Sequence, residues 1–181
     1  VNNGGTISFG APLTSYTVGF GQRTPTVAPF SSGVDTRIGG GEVTFNQGVS
    51  ARNNPFIEVD WSGVGYYNTH RDRKNTFSLY IEDDPTGDIV VFAYSDMQWT
   101  TGDGNGGSGG FGGNGAAIGF DSGDGTHYLN VMRPKSQSDL DLLLATPNRQ
   151  FVWRFDPTTG LPGRSEVGLA GVQVYLDLNN N

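Results

Sequence analysis

Few residues of this chain carry reactive chemistry. Its histidines are His70, in His70-Arg71-Asp72-Arg73, and His127, in Asp121-Ser122-Gly123-Asp124-Gly125-Thr126-His127-Tyr128, and it contains no cysteine. A nucleophile activated by a neighbouring base would therefore have to pair a serine with one of these imidazoles. Ser122 lacks the flanking glycines of a nucleophile elbow. Both histidines read better as exposed loop residues or polar capping groups, so the expectation is a protein that is not an enzyme.

The carboxylates offer a second chemistry. Asp83, Asp84 and Asp88 share one loop, and Asp121 and Asp124 share another, so either group could converge on a hard cation such as calcium. Neither follows a full calcium-loop spacing, and Asp and Gly also populate turns for backbone reasons alone. Residues 102 to 115 contain nine glycines in fourteen positions, but no lysine or helix start follows them, so they make no phosphate cradle. Flat aromatic faces stack on apolar sugar faces, which makes Tyr66, Tyr67, Trp99 and Tyr128 a candidate ligand surface. Core packing accounts better for Trp99.

Strands must position these groups. Val43 and Phe45 alternate with Glu42, Thr44 and Asn46; Ile57, Val59 and Trp61 alternate with Glu58 and Asp60; Phe77, Leu79 and Ile81 alternate with Ser78, Tyr80 and Glu82. That is the period of strands with one wet face. Asp83-Asp84-Pro85-Thr86-Gly87-Asp88 reads as a turn, and the apolar run 89 to 94 as a central strand buried on both faces. The glycine-rich stretch is expected to be a mobile loop, since glycine costs too much backbone entropy to hold a strand. Extended structure resumes at 116 to 120 and 128 to 131. Ser138, followed by Asp139 and Asp141, predicts the N-cap of one short helix through Leu144. Phe151, Trp153 and Phe155 form a last core strand before the turn formers of 156 to 163.

Composition agrees with this pattern. The 181 residues fit one domain plus a short appendage, and 35% hydrophobic residues supply a core. Twenty-nine glycines, nine prolines and twenty-one Trp, Tyr and Phe residues suit short strands joined by tight turns. The predicted fold is all-β: a two-sheet β-sandwich of jelly-roll-like form, with one short helix and a C-terminal extension strand. Residues 1–156 form the sandwich, 157–168 a linker and 169–181 a tail strand. The net charge of −7 argues against nucleic acid as a partner. No apolar run approaches the roughly 20 residues that span a bilayer, so no membrane insertion is expected. Val1-Asn2-Asn3 lacks the basic and apolar regions of a signal peptide, so the expectation is a mature form. The absence of cysteine favours a microbial source, and no Asn-x-Ser/Thr sequon is present.

The order of motifs between Asn75 and Tyr128 is more specific than composition. Asn75-Thr76-Phe77 is followed by Phe92-Ala93-Tyr94, by Met97-Gln98-Trp99-Thr100-Thr101-Gly102, and by Gly119-Phe120-Asp121-Ser122-Gly123-Asp124-Gly125. Upstream stand Gly5-Thr6-Ile7-Ser8-Phe9-Gly10, Ala28-Pro29-Phe30 and Val34-Asp35-Thr36-Arg37; downstream stands Phe151-Val152-Trp153-Arg154-Phe155. Together, over residues 4 to 156, these resemble the nidogen-like domain family. The resemblance implies an extracellular protein, here of a bacterial surface or matrix, that works in adhesion or matrix building rather than catalysis.

The tail poses the remaining question. Val172, Val174, Leu176 and Leu178 alternate with Gln173, Tyr175, Asp177 and Asn179, and Leu169 precedes them. A lone amphipathic strand has to pair with a sheet. It could fold back as an edge strand of its own sandwich. It could instead enter a neighbouring copy by β-augmentation, with Leu169, Val172, Val174, Leu176 and Leu178 as the assembly strand, giving a homopolymer. In a third arrangement, residues 171–181 resemble the first strand of repeat domains in bacterial surface proteins, where Asp177, Asn179 and Asn181 would begin an incomplete calcium loop. The expected function is a self-assembling extracellular filament protein, against a monomeric module that binds glycans or matrix proteins; no cofactor is required apart from the calcium these loops could take.

Overall fold

The computed structural model describes residues 1–13 and 18–164. The tail strand, with Leu169, Val172, Val174, Leu176 and Leu178, and the calcium-loop reading of Asp177, Asn179 and Asn181, lie outside the described residues. Eleven strands and one helix follow in order: β1 (Ile7–Ser8), β2 (Thr26–Ser31), β3 (Val34–Asp35), β4 (Glu42–Val49), β5 (Pro55–Tyr66), β6 (His70–Glu82), β7 (Ile89–Met97), β8 (Ala117–Asp121), β9 (Tyr128–Met132), α1 (Gln137–Leu144), β10 (Gln150–Phe155) and β11 (Pro162–Arg164). They form an all-β two-sheet sandwich. The smaller sheet has the order β1-β2-β8-β9; the larger runs β11-β10-β7-β6-β5-β3, with β4 also paired to β5. β11 falls within the stretch expected to be a linker.

Period-2 alternation decides which side chains enter the core. Register places Trp61 beside Phe77 and Phe77 beside Tyr94, then Val59, Leu79, Phe92 and Phe151 in the next row. All are buried. The smaller sheet answers with Phe30, whose ring lies 5.4 Å from Phe77 and edge-on to Trp99 at 5.7 Å, and with Phe120, 5.3 Å from Phe92 and 5.0 Å from Trp153. Such tilted, edge-on and stacked aromatic contacts add to the stabilisation from the area they bury.

Four expectations need correction. The strand over 89 to 94 is not buried on both faces: Val90, Phe92 and Tyr94 point into the core, but Val91 and Ala93 are only half-buried. The helix begins two residues earlier than predicted, because Ser136 rather than Ser138 is the N-cap and closes a capping box with Asp139. The glycine-rich stretch is folded onto the core. Thr100 N and Thr101 N both donate to Gly110 O, at 2.7 and 2.9 Å, and Gly112 N donates to Lys135 O. A Cβ at Gly110 would lie 2.9 Å from the Trp99 Cβ, so the glycines there permit close approach. Lastly, β4 has the alternation of a half-buried strand, yet Phe45 is 49% exposed and Val49 63% exposed on its core-side row. The larger sheet extends past its cover.

Candidate functional site

The motif residues turn out to build the frame. Asn75 is fully buried in β6; its Oδ1 accepts from Gln98 N (2.7 Å) and Trp99 N (3.2 Å), and its Nδ2 donates to Trp99 O (2.9 Å). One side chain thus satisfies three backbone groups where β7 ends and the glycine-rich segment begins. Asp35 does the same at the β5–β6 turn: it accepts two side-chain hydrogen bonds and one backbone bond from Arg37, and one from Thr69 N at 2.9 Å. The Arg37 guanidinium holds the Asp35 carboxyl well below the usual carboxylate range, against the opposing effect of burial.

Sequence patterning gave no sign of a third node. Glu82, 1% exposed, accepts from Arg52 Nε (2.9 Å) and Nη2 (2.8 Å), Asn54 Nδ2 (2.9 Å), Ser50 Oγ (3.1 Å) and Tyr80 OH (2.7 Å). The Arg52 fork is the largest cause of a strongly lowered Glu82 pKa. A carboxyl whose folded pKa is depressed adds stability that is present above the unfolded pKa and lost as pH falls toward the folded one. The melting temperature is therefore expected to hold near neutrality and to drop below about pH 4, where unfolded carboxylates take up protons. In Arg52→Ala it should start lower and decline less steeply. A pH series of thermal melts with parallel curves for the two proteins would refute this.

The predicted carboxylate clusters have other duties. Asp84 accepts from Thr86 N (2.8 Å) and Thr86 Oγ1 (2.6 Å) and faces Arg154 at 3.5 Å, while Asp83 and Asp88 are exposed. Although the residue is exposed, partial desolvation of its carboxyl, followed by the nearby Asp83 charge, raises the Asp88 pKa. Buried Asp121 accepts from Gly21 N, Gln22 N and Gly123 N at 2.7 to 2.9 Å. Asp124 accepts from Thr126 N and His127 N and contacts His127 Nδ1, which is the leading cause of its lowered pKa. Among the described residues no three His, Asp or Glu side chains converge as metal ligands. His70 stacks on Tyr66 at 4.6 Å with its Nε2 3.1 Å from Asp103. Ser122 meets His127 only through its backbone N–H.

The four aromatic residues do not form one surface. Trp99 is fully buried and donates from Nε1 to Val64 O at 3.1 Å; Tyr66 is 1% exposed, its phenol pushed up to about 12 by burial and by Asp72. Both are core residues, because a sandwich buries its large aromatics between the sheets. Tyr67 is exposed beside the glycine-rich segment. Tyr128, half exposed, stacks on Phe20 and lines a cleft of about 330 Å³ between the sheets, with Phe9, Val27, Phe120, Phe155 and Leu161. Among the described residues, this cleft and the uncovered row of β4 are both open and largely apolar.

No helix among the described residues is long and apolar enough to cross a membrane. Comparison with curated proteins and with solved structures finds no match. Against protein families, the nidogen-like domain model matches residues 50–175. That span covers well over half of the chain and includes the Asn75 bracket, the Glu82 node and the folded glycine-rich segment. The chain therefore belongs to the nidogen-like domain family, an extracellular family of adhesion-type modules.

Proposed function

We propose that this chain is an extracellular structural and adhesion protein that assembles with copies of itself by donating residues 169–178 to a neighbouring subunit. The observation that carries the reading is the uncovered apolar row of β4, a sheet surface of the kind that takes up an added strand. The tail has the complementary pattern, Val172, Val174, Leu176 and Leu178 on one side. The family match runs to residue 175, well into this strand, which supports counting it with the present module rather than a following one. A tail passed from copy to copy makes a heterologous contact that does not close, and so a filament.

In this reading the protein performs no catalysis and needs neither nucleic acid nor a membrane. Its imidazoles are bound to aspartates in turns, and its net charge is −7. A hydrolase screen showing turnover that His127→Ala abolishes would overturn the non-catalytic part. The full chain is expected to form fibres visible by negative-stain electron microscopy. Both a chain ending at Arg164 and full-length Leu176→Asp should give dispersed monomers. Fibres that form equally well without the tail would overturn the assembly reading. The cleft beside Tyr128 favours a second reading, a monomeric module that recognises a glycan or matrix protein; it predicts dispersed particles from the full chain too.

A further inference from the structure

Strand exchange needs an acceptor, and the free edges of the sandwich differ sharply. β1 and β3 have two residues each, β11 three and β9 five, whereas β4 has eight. β4 pairs with β5 in one unbroken register from Glu42↔Ser62 to Val49↔Pro55 and with no other described strand. Sheet edges are usually protected by lysine, proline, a bulge or brevity. Glu42-Val43-Thr44-Phe45-Asn46-Gln47-Gly48-Val49 has no lysine, no proline and no bulge, and its single charge sits at one end.

The side chains repeat the invitation. On the core-side row Val43 is half-buried, Phe45 is 49% exposed and Val49 is 63% exposed, with exposed Gln47 between the last two, and behind them Ile57 and Ile81 are only half-buried. Burial is complete at Val59 and Leu79. The apolar row therefore continues outward past the smaller sheet and stops, uncovered, at β4.

The geometry points to β4 as the acceptor: residues 169–178 of a second copy pair along Glu42–Val49, with Val172, Val174, Leu176 and Leu178 on the same face as Val43, Phe45 and Val49. This inference rests on the tail exchange proposed above and adds where the tail goes and why it comes from another copy. In the order β11-β10-β7-β6-β5-β4, a strand outside β4 lies six spacings from β11. At about 4.8 Å each that is about 29 Å across the sheet. From Arg164 to Leu169 the chain makes five steps, at most about 18 Å even fully extended. A subunit's own tail therefore cannot bring Leu169 to this edge, and brings even Val172 there only if every linker residue is fully extended; a neighbour's tail has no such limit.

The absence of native cysteine makes the test direct, since any disulfide must join introduced residues. Asn46→Cys, on the polar side of β4, is mixed with full-length Gln173→Cys, Tyr175→Cys or Asp177→Cys and oxidised. Directly paired residues lie within disulfide reach, so one of the three mixtures should yield a dominant cross-linked dimer. Asn130→Cys on the β9 edge serves as the control acceptor. Full-length Phe45→Glu should lose its fibres, while the same substitution in a chain ending at Arg164 still folds and melts cooperatively within a few degrees of its parent, because only half of Phe45 is buried. Cross-linking to Asn130→Cys instead, or fibres that survive Phe45→Glu, would overturn β4 as acceptor while leaving tail exchange standing. A full chain that stays monomeric and cross-links only within itself, when one chain carries both cysteines, would overturn the exchange as well.

Discussion

Asn75→Leu is expected to melt about 6–12 °C or more below the parent protein, since each kcal/mol shifts a domain of this size by roughly 2–4 °C. Leucine keeps the branch at Cγ but is bulkier than asparagine, so overpacking of this fully buried site adds to the loss of three hydrogen bonds. It leaves Gln98 N, Trp99 N and Trp99 O without that partner around a fully buried site. An unsatisfied buried polar group costs about 1–3 kcal/mol, so the sum is on the order of 3 kcal/mol or more. The damage should extend beyond β6, because the same segment carries Trp99, which packs on Phe30 at 5.7 Å, and Thr100, whose N–H holds Gly110. Near-ultraviolet circular dichroism should lose part of its tryptophan signal. A melting temperature within about 2 °C of the parent would mean that the bracket is dispensable.

That bracket marks a boundary between what local pattern announces and what it hides. The strands over Val43 to Phe45, Ile57 to Trp61 and Phe77 to Ile81, the β6–β7 hairpin and the helix ending at Leu144 all follow from period and turn chemistry, which are properties of neighbouring residues. Glu82 could not be read this way. Its partners Ser50, Arg52 and Asn54 lie 28 to 32 positions away, and a glutamate at the end of an alternating strand looks like any wet-face residue. The glycine-rich stretch misled for a related reason. Composition reports a backbone's freedom when unfolded, whereas Gly110 is glycine because Trp99 occupies the space its Cβ would need. Tyr66 and Trp99 likewise carry polar atoms that suit a ligand surface, and only the fold reveals that Asp72 and Val64 O already satisfy them.

The same limit applies to β4. Its alternation states that one face is apolar but not whether a second sheet exists above that face. The smaller sheet ends too soon, and Phe45 is left half exposed. Family membership does not settle this, since functions are carried by particular surfaces on a shared fold. An uncovered row and an eight-residue edge unpaired among the described residues connect the architecture of this chain to the assembly proposed for it.

Gly5→Ala should be the most damaging of the glycine substitutions in the Gly5-to-Gly10 motif, and Gly10→Ala provides its internal control. The two backbones are nearly alike, with φ of +82° at Gly5 and +79° at Gly10, so both substitutions bear the same left-handed strain of roughly 1–2 kcal/mol. Their surroundings differ completely. A Cβ at Gly10 meets nothing within 4 Å, whereas one at Gly5 would lie 1.9 Å from Phe30 O. That oxygen belongs to β2 and cannot rotate away, so the segment that leads into β1 must move off β2. Moving it breaks Phe30 N to Gly5 O and Ser32 N to Gly4 O and lifts buried Ile7 from the core. Gly10→Ala should cost only its backbone strain. Gly5→Ala should cost several kcal/mol in total, at the upper end of what single substitutions do. Urea titrations of the two variants measure the difference. Equal midpoints would show that backbone conformation alone, and not the approach of Phe30 O, requires glycine at position 5.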